Sequence, residues 1–550
     1  MSTTSPAPMT RRQVLESLSG LLVGMFVAIL SGTVVSTSLP RIVTELGGDQ
    51  SAYTWIVTAT LLATTVSTPV WGKLADMLDR KLLVQIALAV FVIGSAIAGI
   101  TQDTGSMIAA RVVQGLGAGG LMALVQVIIS DIISPRERGR YMGLMGGIMA
   151  VGTAGGPLLG GVITDSIGWR WNFYVAIPFA VLALVLIQLT LHLPKRGGKV
   201  KVDYLGAALI AGGISLLLIW VTMGGNQFEW NSPTSWSMLA GSILLLAVAV
   251  VVELKVDEPI IPLHLFKGRT FSLVTVASLS VGVALFGTSV FMSQYLQLAR
   301  DKTATESGIL TLPQVAGMLI ASVAVGNIIS RTGLWKRWMV LGASLLSVGM
   351  GLMATLRYDT PFPLLFLYMA ITGLGVGMLM QNMILVVQNS VDVRTIGAAS
   401  ASVAFFRSLG GAVGVAALGA ALGSRVQSEI TSGLSELGIP ASAMSGAGGG
   451  SIPDLSTVPE PVRVVIESAY GQGVGEIFLI AFPLALLTLV MVALLPNTPL
   501  GTKTGVEQLA EREGEAEALI EVATGSIAAP VERLESERRS GLESERRSDS

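Results

Sequence analysis

A helix of about 20 mostly apolar residues crosses the hydrocarbon core of a bilayer, because in lipid every backbone N–H and C=O must find its partner within the chain. The hydropathy pattern of this 550-residue chain meets that requirement fourteen times, at 20–39, 55–74, 82–101, 107–129, 142–163, 173–193, 204–223, 237–253, 271–293, 308–329, 338–355, 362–387, 397–422 and 476–495. The pattern predicts an all-α polytopic membrane protein with 14 transmembrane helices. Arg11 and Arg12 precede the first run as they would in a secretory signal, but the run exceeds the roughly 7 to 15 residues of a signal core. It is expected to remain as an uncleaved first anchor.

The polar connections alternate in charge. One set, with the N-terminal pair, carries about 19 Lys and Arg, among them Lys73, Arg80, Lys81, Arg136, Arg138, Arg140, Lys255, Lys336 and Arg337; the other carries about 7. Basic loops stay inside, so both termini are expected in the cytoplasm of a cell whose plasma membrane the chain spans.

The chain also resembles itself. GLGAGG at 115–120 returns as GLGVGM at 373–378, 258 residues on; GKLADMLDRK at 72–81 has a worn echo, GNIISRTGLWK, at 326–336; GGPLLGG at 155–161 is echoed by GGAVGVA at 410–416. Nearly one offset serves all three, which means a duplication. The expected organisation is a cytoplasmic segment 1–19, a six-helix bundle 20–195, a linker 196–268 holding two extra central helices, and a second six-helix bundle 269–496 with an outer loop at 424–475. A charged tail, 497–550, which repeats LESERRS, is expected to be disordered.

Composition narrows the function. Hydrophobic residues make up 51% and charged residues 13%, against about 25% charged in soluble domains. Cys is absent and His occurs twice, which removes disulfides and Cys/His metal sites; no metal, no cofactor, no enzymatic chemistry and no nucleic-acid partner is expected. The lipid bilayer is the obvious partner, and the chain is expected to work as a monomer.

Polar residues inside the apolar runs are the candidates for function. Arg111 and Gln114 sit in RVVQGLGAGG; an arginine at the centre of a span costs about 2.5 to 3.5 kcal/mol and normally faces a wet cavity or a partner. Arg407 raises the same question, with snorkelling toward a helix end as its alternative. Ser31, Gln294, Gln381 and Asn382 fit a polar path or interhelical hydrogen bonds, and Met149 and Phe405 fit an adaptable substrate surface or plain packing. Gly152, Gly156, Pro157 and Gly160 line one small face of the fifth run, suiting a hinging seam or static close packing. Gly72, Asp76, Arg80 and Lys81, with Asp131 nearby in topology, suit a charged latch between conformations or simple positive-inside charge.

GKLADMLDRK resembles the signature loop of the major facilitator superfamily. RVVQGLGAGG is similar to the fourth-span motif of its drug exporters, and Gly147–Gly161 to the fifth-span motif of its antiporters. With LSGTVVSTSLP (30–40), WRWNFYVAIP (169–178), EPIIPLHLF (258–266) and FFRSLGGAVGVA (405–416), the resemblance is to the 14-span drug:proton antiporters of that superfamily, over residues 20 to 496. It implies the major facilitator fold and efflux of hydrophobic or amphiphilic small molecules by alternating access in exchange for protons, with the proton gradient as sole energy source. Arg111, Gln114, Asp131 and Arg407 would serve transport or proton coupling; Gly72, Asp76, Arg80 and Lys81 the latch; Gly152, Gly156, Pro157 and Gly160 the antiport seam; Ser31, Met149, Gln294, Gln381, Asn382 and Phe405 the cavity. Export of a lipid, a siderophore or an endogenous antibiotic is the alternative cargo, and a non-transporting membrane sensor the alternative class. The chain departs from the pattern at Ser31, where an acid is usual, and at Asp79, where glycine is usual. No run holds a carboxylate at its middle, and arginine does not titrate, so the proton carrier is unassigned; the missing acid also weighs against strongly cationic cargo.

Overall fold

The structure, a computed structural model, describes residues 11–47, 50–191, 203–224, 228–256, 259–302, 304–437 and 459–501. The basic loop at 195–201 and the tail from 502 lie outside the described residues, as do the side chains of Pro157, Arg136 and Arg394. All fourteen apolar windows fall on helices: α1 (Arg11–Glu45), α2 (Gln50–Met77), α3 (Arg80–Ile100), α4 (Thr104–Ile132), α5 (Pro135–Ser166), α6 (Trp171–Tyr174) with α7 (Ala176–Thr190), α8 (Tyr204–Met223), α9 (Pro233–Glu253), α10 (Arg269–Gln294), α11 (Ala304–Leu310) with α12 (Leu312–Thr332), α13 (Trp335–Met353), α14 (Phe362–Ser390), α15 (Ile396–Glu436) and α16 (Glu460–Ala493). Among the described residues, ten of these segments are long and apolar enough to cross a membrane. The other four windows fall on α2, α5, α8 and α13.

Short polar residues start the helices. Asp79 accepts from the N–H of Lys81 and of Leu82, Asp103 from that of Ser106, Asp203 from that of Gly206, and Ser232 from that of Ser235, each satisfying a donor that the first turn leaves open. Asp79 is thus explained where the family motif has glycine: its carboxylate caps α3. α12 ends in a left-handed turn at Gly333 (φ +72°), a conformation that glycine adopts without cost.

Helices α1–α7 pack as one bundle and α10–α16 as the other, with α2 against α4, α3 against α4 and α1 against α5 in the first, and α10 against α15, α12 against α14 and α13 against both α14 and α16 in the second. The bundles meet along two seams, α5 against α12 and α2 against α15. The α8–α9 hairpin lies beside the second seam. Ile210, Ile214 and Leu218 of α8 pack there with Phe405 and with Leu62, Val66 and Val70 of α2. Between hairpin and second bundle, a 3-10 turn at Leu263–Lys267 leaves His264 exposed.

The outer connection at 424–475 is shorter than expected. α15 continues to Glu436 and α16 starts at Glu460, joined side to side by an ion pair from Arg425 Nη2 to Glu476 Oε1 at 2.9 Å; residues 438–458 between them lie outside the described residues. Helices that project past the membrane with polar faces leave no hydropathy signal, so this extension was not readable from apolar windows.

Candidate functional site

Arg111 is buried at 3% exposure, two turns into α4. Its Nη1 donates to Gln114 Oε1, and its Nε reaches Ile56 O at 3.5 Å. Gln114 Nε2 donates in turn to Ser31 Oγ at 3.0 Å and to Ser95 Oγ at 2.8 Å, so the network joins α4 to α1, α2 and α3. Phe173 presents its ring at 6.0 Å from the guanidinium carbon, within cation–π range. The i, i+3 spacing of Arg111 and Gln114 puts both on one face of α4, and Gly94 of α3 brings its backbone against Gln114. Among the described residues no carboxylate pairs with Arg111. Ser31, where an acid was expected, is therefore a hydrogen-bond acceptor for the glutamine that holds the arginine.

Arg407 is buried on α15, where its Nη1 donates to Met380 O at 3.2 Å. It too has no carboxylate partner among the described residues. At 1.5 Å per residue it stands roughly 16 Å from the start of α15. Near that level Gln381 Nε2 lies 3.3 Å from Met149 Sδ, a contact between the bundles. Asn382 bonds within its own helix, to Met378 O at 2.6 Å. The Oε1 atoms of Gln294 and Gln381 are buried without a hydrogen-bond partner. Phe405 packs with Ile210 and Ile214 of α8, with Val66 of α2, and edge-on to Phe406.

The second constellation lies at the end of the bundles that carries the basic loops. Arg80, 2% exposed, is ion-paired with Asp131 and lies 3.6 Å from Asp76. Asp76 crosses the seam: its two carboxylate oxygens accept from the N–H groups of Gly397 and Ala398, at 2.9 and 2.8 Å, in the first turn of α15. The positive end of that helix's dipole favours a carboxylate there. Beside it, Arg138 Nε and Nη2 donate to Ile133 O and Ser130 O, and its Nη1 to Gln388 Oε1 at 3.3 Å; Gln388 Nε2 completes the bridge to Gln126 O and Ser400 Oγ. Lys81 is turned away, with Nζ on Gln188 O of α7 at 2.8 Å, and belongs to no contact between bundles. Asp131 sits about 30 Å along α4 from Arg111, so the two do not meet.

Glycine sets the approach at both seams. A Cβ on Gly72 would collide with Ala401 and come within 2.9 Å of Gly397 O; one on Gly326 would collide with Gly139 O and meet Gly143 Cα at 3.0 Å. Gly326 answers Gly72 in the worn echo, at an offset of 254. Gly152 and Gly156, by contrast, pack within the first bundle, on Ile29 and Thr33 of α1, and Thr33 Oγ1 donates to Gly152 O at 3.1 Å. Gly160 is buried on the same helix. The part of α5 that faces the other bundle is thus its first half, at Gly139, Gly143 and Gly146, against Gly326 and Ser322. Gly139, Ser322, Gln388 and Ser400 were not picked out from the sequence as seam residues; the signal was present in the repeat, because the glycine of the worn echo at 326 is the partner of Gly139.

Two closely packed, pseudo-equivalent bundles of apolar helices have the architecture of a membrane transport protein. The chain matches the Major Facilitator Superfamily over residues 21–415 and belongs to that family, whose members are transporters; it is a multi-pass membrane protein. It is 34% identical over 492 residues to an uncharacterised MFS-type transporter of Mycobacterium tuberculosis, covering 89% of this chain and 70% of that one. It is 33% identical to a multidrug transporter protein of Bacillus subtilis, with 74% and 75% covered, and 32% identical to an efflux pump of Dothistroma septosporum, with 90% and 85% covered. The solved structure of the human organic anion transporter MFSD10 superposes with a TM-score of 0.56 at 16% identity, over 86% of this chain and 99% of that one; that likeness is one of fold.

Proposed function

We propose that the protein exports hydrophobic or amphiphilic small molecules across the plasma membrane in exchange for protons, acting as a monomer with both termini and the basic end in the cytoplasm, and with the proton gradient as its only energy source. The observation that carries this reading is the pair of glycine seams held together at one end by Asp76 and Arg138. Such a gate, tied by a carboxylate on a helix end and by one bridging glutamine, opens when the bundles rock and leaves each bundle intact. Relatives named multidrug transporter and efflux pump support the cargo class. Arg111 and Arg407, each buried without a carboxylate, favour neutral or anionic amphiphiles over strongly cationic ones, which would meet an uncompensated positive field.

Fluorescent-dye uptake into inverted membrane vesicles, with and without an imposed pH gradient, tests the reading. Gradient-dependent uptake that an uncoupler abolishes is the expected result. Uptake indifferent to the gradient would remove proton exchange, and failure of every neutral, anionic and cationic dye to move would remove efflux of such compounds.

A further inference from the structure

The carboxylates near the ends of the spans are not alike. Asp76 is engaged by α15 and Arg80, Asp131 is paired with Arg80, and Glu476 with Arg425; the side chain of Asp165 lies outside the described residues, and Glu306 is exposed. Glu253, the last residue of α9, is buried at 5% exposure, and among the described residues its oxygens accept from the backbone N–H of Ile260 and of Ile261, at 3.3 and 3.1 Å. Facing it is a second buried acid. Asp203, 8% exposed, uses Oδ1 to cap α8 at Gly206 N, while its Oδ2 is buried with no hydrogen-bond partner. Both carboxylates converge on the bare face of Gly206: a Cβ there would collide with Asp203 Oδ2 and lie 2.9 Å from Glu253 Oε1.

An ionised carboxylate oxygen, buried with no donor and turned toward another buried carboxylate, is an expensive arrangement. One proton removes the conflict, because a neutral carboxyl supplies the missing donor and cancels the like-charge repulsion. We propose that Glu253, facing the carboxylate of Asp203, binds a proton at the base of the α8–α9 hairpin, with Lys73 of α2 close by. Lys73 is buried and acts electrostatically on Glu253, as does Asp203. Among the other described charged groups on the elements packed against the hairpin, Asp76 of α2 is held by α15 and Arg407 of α15 by Met380 O, while Lys255, just past Glu253, is exposed. His264, Lys267 and Arg269 of the following segment are exposed. Since α8 packs on both α2 and α15, binding and loss of this proton acts where the two bundles meet. That role in coupling rests on the proton-exchange reading above; the binding of the proton does not.

Infrared spectroscopy of the purified full chain in lipid nanodiscs tests the binding without any transported substrate. At neutral pH the wild type should show a protonated-carboxyl stretching band that moves on carboxyl 13C labelling of glutamate and vanishes as pH is raised. Glu253→Gln should abolish it, and Asp203→Asn, which removes the neighbouring charge but leaves Glu253 buried, should make it vanish at a lower pH than in the wild type. Absence of the band in the wild type overturns the proposal with no variant needed, and so does its persistence in Glu253→Gln. Loss of the band on adding Na⁺, Mg²⁺ or Ca²⁺ at constant pH would make the pair a cation site and likewise overturn it. Failure of dye transport with the band intact would instead count against the exporter.

Discussion

Burying the Arg111 guanidinium without a carboxylate is tolerable only because its surroundings supply acceptors and an aromatic face. Gln114 is the main acceptor, and Ser31 and Ser95 hold Gln114 in place. Leaving one member of a buried polar network unpaired costs about 1 to 3 kcal/mol, so Gln114→Leu should impair transport by about 5- to 150-fold while the protein accumulates near the wild-type level. Arg111→Ala should fall at least as far, measured as initial dye-uptake rate per folded transporter; unchanged transport in either variant would take the network out of the mechanism. Ser31→Asp places the missing acid one hydrogen bond from Gln114 and close to the arginine. It should shift preference toward cationic dyes, and an unaltered substrate profile would show that Ser31 does not influence the cargo's surroundings. The sequence made Arg111, Gln114 and Ser31 conspicuous one at a time, since each is a polar residue in an apolar run. That they form one network depends on how α1, α3 and α4 rotate about their axes, which hydropathy does not encode.

At the level of helices, the seams turn on backbone approach. Methyl groups at Gly72 and Gly326 would intrude on Ala401 and on Gly139 O respectively, and overpacking of this kind costs about 1 to 3 kcal/mol. Gly72→Ala and Gly326→Ala should each loosen the basic end, read as faster thiol labelling of a single cysteine introduced near that gate, a measurement eased by the absence of native cysteine. Because the two seams are separate contacts, the double variant should show additive effects; labelling unchanged in all three would mean that the seams do not close the gate. Asp76→Asn keeps the shape but removes the charge at the first turn of α15, an interaction worth up to about 2 kcal/mol when partly buried, and should open the same end. All fourteen apolar windows fall on helices, and the duplication is legible from three echoes. Gly152, Gly156 and Gly160 stand out in the sequence because they cluster; Gly152 and Gly156 pack on α1, while the more dispersed Gly139 and Gly143 meet the other bundle. Clustered glycine signals close approach without saying to which neighbour. Nor could apolar windows reveal the outer extensions of α15 and α16, or that Phe405 lies under the hairpin.

For the whole molecule, transport by rocking bundles requires that the closed basic end be one stage of a cycle and not a permanent weld. Gly147 of α5 and Val323 of α12 offer the direct test, since a Cβ on Gly147 would lie 3.2 Å from Val323 Cγ2 across the seam, close to what a disulfide between these positions needs. In the double variant Gly147→Cys, Val323→Cys, assayed as dye uptake into inverted vesicles, oxidation should cross-link α5 to α12 and stop uptake, and reduction should restore it to the rate before oxidation. Cross-linked protein that transports at the unlinked rate would contradict a mechanism in which the basic end opens and closes.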